Sequence, residues 1–128
     1  MQRARPGNPD DIENQRAMAL TKAALESARR LGLSPVDTAS ILGVPQGALQ
    51  AMKKGDRVVD GLSGEAVRAD ALVRLVKRLQ VLLGEADTTW RAWIRRESAG
   101  LGAKPLDMML QRDGTTKVAA YLERQHEL

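Results

Sequence analysis

The stretch that decides the fold is "TASILGVPQGALQAMKKG", residues 38–55. It places Gly43 between two short runs with helical spacing, and it ends in two lysines and Gly55. Glycine adopts a left-handed backbone without steric cost, so Gly43 permits a tight turn between two helices. Two helices joined by such a turn at a steep angle form a helix-turn-helix, which we predict here.

The residues around this turn fit the motif. Ala39 is the small residue where the two helices cross, and Ser34 is a good N-cap for the first helix. We expect the second helix to run from about Pro45 to Lys53 or Lys54. The apolar residues that would lock the pair together are Leu42, Val44, Leu49 and Met52.

The outward positions of the second helix predict contacts with DNA. In a helix-turn-helix this helix lies in the major groove, where Gln46 and Gln50 could bond adenine edges. The positive charges that would neutralise phosphates are Lys53, Lys54 and Arg57. The alternative is a three-helix packing unit with a solvated polar face, because lysine near a helix C-terminus also suits the helix dipole.

Composition narrows the function. The 128 residues carry 20 basic and 16 acidic side chains, a net charge of +4 that permits nucleic-acid binding without establishing it. There is no cysteine, and the one histidine is His126, which argues against metal sites and a Ser-His-Asp triad. The acidic residues are scattered, so we expect no enzyme and no cofactor. No apolar run has membrane-spanning length, and we expect a cytoplasmic protein.

The chain divides into three predicted parts of an all-α protein. Ala, Leu, Arg, Glu and Gln dominate, and no useful length of strand alternation occurs. Residues 1–17 form a predicted flexible tail, in which Arg3 and Arg5 could alternatively form an arm that reaches DNA. Residues 18–84 form the helix-turn-helix domain and its long helix, and residues 85–128 form a small helical domain.

The long helix is predicted to be the longest of the chain, capped by Ser63 and ended by Gly84. Its apolar stripe consists of Leu72, Leu75, Val76, Leu79, Leu82 and Leu83. Three further apolar residues, Ala69, Val73 and Val81, lie off this stripe. This wider apolar arc predicts a homodimer, which would suit palindromic operator DNA.

In the distal part we predict three short helices. The first begins at Thr88 or Thr89, with Trp90, Trp93 and Ile94 in the core. On its other face, Arg91, Arg95 and Arg96 are expected to be solvated, and alternatively they could meet an acidic partner. The second is "LDMML", and the third begins at about Thr115. A plain helical bundle would also explain this pattern.

The sequence resembles a known family in both halves. "LGVPQGALQAMKKG" is similar to the Xre-type helix-turn-helix, and the distal part resembles the toxin-binding domain of Xre/MbcA/ParS antitoxins. Together the two halves cover about residues 18–125. The distal series that carries the resemblance is Trp93-Ile94, Leu101-Gly102, Pro105-Leu106, Met109-Leu110, Gly114, Val118 and Leu122. Family members usually continue past the last helix with a further glycine-containing segment, from which this sequence departs.

The resemblance implies the antitoxin of a type II toxin–antitoxin pair. Its partner would be a RES-domain toxin that destroys NAD, inhibited sterically by the distal part of the antitoxin, and the complex would repress its own operon. The alternative is a free-standing dimeric helix-turn-helix transcriptional regulator whose distal domain only dimerises.

Toxin binding requires an apolar patch rimmed by charge. Because Met108 and Met109 are adjacent, one of them must point away from the local core, where methionine repacks easily against a partner. The predicted toxin-binding residues are Leu106, Met108, Met109, Arg124, Gln125 and His126.

Overall fold

The computed structural model describes residues 9–128, with side chains from residue 11 onward. Over this range the chain forms seven α-helices and no strand, which confirms the all-α prediction. The helices are α1 (Pro9–Arg30), α2 (Pro35–Leu42), α3 (Gln46–Lys54), α4 (Glu65–Leu83), α5 (Asp87–Ile94), α6 (Pro105–Met109) and α7 (Gly114–Glu123).

Helix α1 begins earlier than the sequence predicted. Residues 9–17, assigned to the flexible tail, form its first turns, so that part of the prediction is wrong. A proline is favourable at the start of a helix because its φ is already helical and its missing N–H is not needed there. With 22 residues against 19, α1 and not α4 is the longest helix of residues 9–128. Arg3 and Arg5 lie outside the described residues.

Helices α2 and α3 form where the sequence predicted them. The Ser34 hydroxyl accepts the N–H of Asp37 at 3.0 Å and so caps α2. Gly43 ends α2 with φ +73°, and Val44 donates its N–H to the carbonyl of Ala39 at 3.0 Å. A β-carbon on Gly43 would also lie 2.7 Å from the Arg68 guanidinium, so both conformation and space favour glycine here.

One core cluster holds α1, α2 and α3 together. Its buried members are Ala24, Ala39, Leu42, Val44, Leu49, Met52, Val59 and Ala69. Ala69 comes from α4 and is fully buried, and Val73 packs against the same cluster. These two residues were expected on a free surface for a homodimer, but the chain's own helices cover them. Of that apolar arc, only Val81 is exposed, at 69%.

A second core cluster joins α4 to the distal helices. Its buried members include Leu72, Leu75 and Leu79 of α4, Trp90, Trp93 and Ile94 of α5, and Val118 and Leu122 of α7. The end of α1 contributes Ala28 and Leu31, and α2 contributes Ile41. This core therefore crosses the boundary predicted between residues 84 and 85, because α4 packs on both clusters.

The start of α4 differs from the prediction. Gly64, with φ +85°, occupies the N-cap position, and the exposed Ser63 does not cap the helix. The loop before α4 is held instead by the buried Glu65. Its carboxylate accepts the backbone N–H of Asp60 at 3.0 Å and a guanidinium N–H of Arg57 at 3.0 Å. The backbone N–H of Ala66, in the first turn of α4, donates to the carbonyl of Asp60 at 3.2 Å, and this carbonyl takes the place of the expected hydroxyl cap.

Within residues 9–128, every helix is too short or too polar to cross a membrane.

Candidate functional site

The distal helices are fixed to the end of α1 by two arginines of α5. Arg91 donates to the carbonyls of Arg30 at 2.9 Å and Arg29 at 3.2 Å. Arg95 donates to the carbonyls of Leu31 and Gly32, both at 2.9 Å. The last carbonyls of a helix lack partners within it and carry its negative dipole end, so these guanidiniums cap α1.

Arg91 and Arg95, expected on a solvated face, thus also hold α5 to α1, although Arg95, like Arg96, is exposed. A side chain of α1 also contacts α5, so the junction between the two helices is joined from both sides. Arg30 donates from Nε to the Asp87 carboxylate at 2.7 Å, and its guanidinium carbon lies 4.0 Å from the centre of the Trp90 ring. Asp87, rather than Thr88 or Thr89, is the first residue of α5.

The turns of the distal region pack closely against α6 and α7. Gly100 lies so near Tyr121 that a β-carbon would be 2.2 Å from the phenol oxygen. Gly114 lies against α6, where a β-carbon would be 1.5 Å from the Met108 carbonyl oxygen. The first approach brings the turn after α5 against α7, and the second brings α6 against the start of α7.

The two adjacent methionines of α6, both predicted to contact a toxin, lie in different environments. Met109 is only 1% exposed and belongs to the core, so the prediction that it binds a toxin is wrong. Met108 and Leu106 are half-buried at the edge of the same core. Of the two methionines, Met108 is the one with exposed surface, although it also packs against the core, and Leu110, which follows Met109, is 36% exposed.

The segment after α7 contains the other predicted toxin-binding residues. Arg124 and His126 are exposed, and Gln125 is half-buried. Arg78 of α4 donates to the carbonyls of Leu122 and Gln125, and so ties this segment to α4. Sequence reasoning missed Arg78, whose acceptors are backbone carbonyls more than 40 positions away in the chain.

On α3 the predicted DNA-binding side chains share one face. Gln46, Gln50, Lys53 and Lys54 are exposed, whereas Leu49 and Met52 are buried against α1 and α2. Positions three and four apart are neighbours on a helix surface, so the four polar side chains form one continuous strip. The strip carries two positive charges and no negative charge.

The fifth predicted DNA contact, Arg57, lies elsewhere. Its guanidinium pairs with Glu65 at 3.0 Å, in the loop before α4. The pair holds this loop to α4, so the side chain is less available to a phosphate than the two lysines are.

Among residues 9–128 no group of three or more His, Cys, Asp or Glu side chains could hold a metal ion. The distal region presents two surfaces, a half-buried apolar edge on α6 and an exposed segment after α7.

Residues 78–126 match the family model described as the Xre/MbcA/ParS antitoxin C-terminal toxin-binding domain. This part of the chain is thus a toxin-binding domain of the Xre/MbcA/ParS antitoxin family, and the resemblance seen in the sequence is confirmed there. The match begins within α4 and leaves residues 1–77 outside it. No curated protein matches the chain.

Proposed function

We propose that this protein is the antitoxin of a type II toxin–antitoxin pair, which binds a RES-domain, NAD-degrading toxin and inhibits it sterically. The observation that carries the proposal is the match of residues 78–126 to an antitoxin's toxin-binding domain. In this role the protein needs no reaction of its own. It needs a surface that covers the entrance to another protein's active site.

The proposed toxin-binding surface combines two features of the distal module. Leu106 and Met108 provide apolar area that is half-buried and thus partly available to a partner. Arg124 and His126 provide exposed polar groups after α7, with Gln125 between them. An apolar centre with a polar rim is the usual composition of a specific protein interface.

The experiment that tests this proposal uses the product of the adjacent reading frame as the toxin. We expect its expression alone to stop growth and lower cellular NAD, and co-expression of this protein to restore both. Light scattering of the co-purified proteins should show one stable complex. A harmless neighbour that forms no complex with this protein would contradict the proposal.

We further propose that α3 binds operator DNA, and that the protein with its toxin represses its own operon. The support is the exposed strip of Gln46, Gln50, Lys53 and Lys54 on a helix that follows a tight turn. Glutamines suit adenine edges, and lysines suit phosphates. Val81 and Val67 are exposed apolar residues of α4 that a homodimer could bury, and a two-fold protein would suit a palindromic operator.

A salt titration tests the role of the two lysines. Each phosphate contact adds about 0.9 to the slope of log affinity against log salt, so Lys53→Ala with Lys54→Ala should reduce the slope by roughly 2. The control is Lys77→Ala, an exposed lysine on α4. An unchanged slope in the double variant would remove both lysines from the phosphate contacts.

The second candidate function is a free-standing dimeric transcriptional regulator. The exposed strip on α3 favours it, because that strip does not depend on a toxin. The two candidates differ in one result: the regulator binds its operator and dimerises but forms no complex with the product of the adjacent reading frame.

A further inference from the structure

The side chain of Arg78 bridges the point where the chain leaves α7. Its Nε donates to the carbonyl of Leu122 at 3.0 Å, and its Nη2 donates to the carbonyl of Gln125 at 2.6 Å. Leu122 belongs to the last turn of α7, whereas Gln125 lies beyond the helix. The last carbonyls of a helix lack partners within it, and the planar guanidinium can serve two acceptors at once.

The other hydrogen bonds of this segment are local. Gln125 donates its backbone N–H to Leu122 at 3.1 Å and its side-chain amide to the carbonyl of Tyr121 at 3.2 Å. Such bonds close one turn, but they do not tie the segment to another element. In the part of the chain that the structure describes, Arg78 makes the hydrogen bonds that join the backbone of this segment to α4.

The direction of the chain after Gln125 follows from this anchor. Glu127 and Leu128 line a groove of about 490 Å³ together with Leu83, Trp93 and Tyr121. The segment therefore runs back over the distal module rather than away from it. Its side chains stay largely exposed, as a segment that meets a partner requires.

We infer that Arg78 is a positioning residue that holds residues 124–128 in the conformation that the toxin binds. The inference rests on the proposed function, which places toxin contacts in this segment. Arg78 acts through the backbone of the segment, because its guanidinium is directed at two carbonyls. Without it the segment would have to be ordered at the moment of binding, which lowers affinity.

The primary test measures toxin affinity by calorimetry for Arg78→Ala, Arg78→Lys and the control Arg74→Ala. Two charge-assisted hydrogen bonds are lost in Arg78→Ala, and we expect affinity to fall about tenfold or more. Lysine keeps the charge without the planar fork, so Arg78→Lys should give an intermediate loss. Arg74, one turn away, bonds the side chains of Asp70 and Glu123, and its variant should bind within about twofold of the native chain.

A double-mutant cycle separates positioning from a general effect on the fold. The second variant combines Arg124→Ala, Gln125→Ala, His126→Ala, Glu127→Ala and Leu128→Ala, which removes the side chains of the segment and keeps the Gln125 carbonyl. In that background Arg78→Ala should cost less than about twofold, because the positioned groups are already gone. The same loss in both backgrounds, or no loss in the native one, would overturn the inference.

A measurement on the protein alone keeps this inference distinct from the proposed function. The ¹⁵N heteronuclear NOE of residues 125–128 should fall in Arg78→Ala and be unchanged in Arg74→Ala. Unchanged NOE values in Arg78→Ala would overturn the positioning role whatever the toxin is. Lower NOE values together with full toxin binding by the five-alanine variant would instead refute toxin contacts in this segment, and the inference with them.

Discussion

Gly47 and Gly114 show how differently two helical glycines can be constrained. Gly47 lies in α3, and a β-carbon there would meet no atom within 4 Å. Gly114 begins α7, and a β-carbon there would lie 1.5 Å from a backbone oxygen of Met108. Neither residue has a positive φ, so the difference comes from the neighbours and not from the backbone conformation.

We therefore expect opposite effects of alanine at these positions. Gly47→Ala should stabilise the protein by about 0.5–1 kcal/mol, because alanine loses less conformational entropy in a helix. Gly114→Ala should destabilise it by about 2 kcal/mol or more, because α6 must move away from α7. Urea unfolding measures both free energies, and equal effects of the two substitutions would contradict this description of α6 and α7.

The adjacent methionines give a second prediction at this scale. Met109→Ala should lower the free energy of unfolding by about 2–4 kcal/mol, because it leaves a cavity in the core. Met108→Ala should cost less than about 1 kcal/mol in stability but weaken toxin binding. Unfolding and binding measurements on both variants test this division, which a comparable stability loss for the two would contradict.

At the scale of elements, the junction between α1 and α5 links distant parts of the chain. Four hydrogen bonds from Arg91 and Arg95 reach the carbonyls of residues 29–32. These bonds could not be predicted from the sequence, because the acceptors are backbone atoms about 60 positions earlier in the chain. An arginine on the polar face of an amphipathic helix has the same spacing whether it is solvated or caps another helix.

Removing both arginines should destabilise the junction. We expect Arg91→Ala with Arg95→Ala to lower the free energy of unfolding by about 1–3 kcal/mol. This is less than the sum of four separate hydrogen bonds, because water reaches part of the site and can replace the lost donors. The control is Arg96→Ala, whose exposed side chain should cost less than about 0.5 kcal/mol. If the control is as destabilising as the double variant, the hydrogen bonds are not what stabilises the junction.

The elements that the sequence predicted well have strong local signals. Ser34 begins α2 by accepting the N–H of Asp37, three residues later. Gly43 and Gly55 end α2 and α3 through their own left-handed backbone conformation. The start of α4 was predicted wrongly because Ser63 looks like a cap, whereas the loop is held by the buried Glu65. The start of α1 was missed because its first turns bury little, and apolar periodicity is a weak guide there.

At the scale of the whole molecule, α4 connects the two core clusters. Ala69 near its start packs with α1, α2 and α3. The residues of α4 that pack with α5 and α7 are Leu72, Leu75, Val76 and Leu79. The boundary predicted at Gly84 was based on that glycine and on local composition, which indicate where a helix ends. They do not indicate which residues the helix packs against, so the shared core could not be predicted from them.

The kinds of residue in the candidate site could be predicted from the sequence, but the individual residues that belong to it were harder to identify. Alternation of buried and exposed positions placed the strip on α3 correctly, because one helix face is fixed by local spacing. On α6 the sequence required one outward methionine but did not decide between Met108 and Met109. Arg78 could not be found, because its role depends on where α7 ends in space.

Hydrogen exchange tests the central claim, that the distal module binds a toxin while α3 binds DNA. It is measured by mass spectrometry on the protein alone, with the product of the adjacent reading frame, and with operator DNA. We expect the toxin to slow exchange in residues 105–110 and 123–128, and the operator to slow it in residues 44–58. Protection of α3 by the toxin, with none in the distal module, would contradict the account.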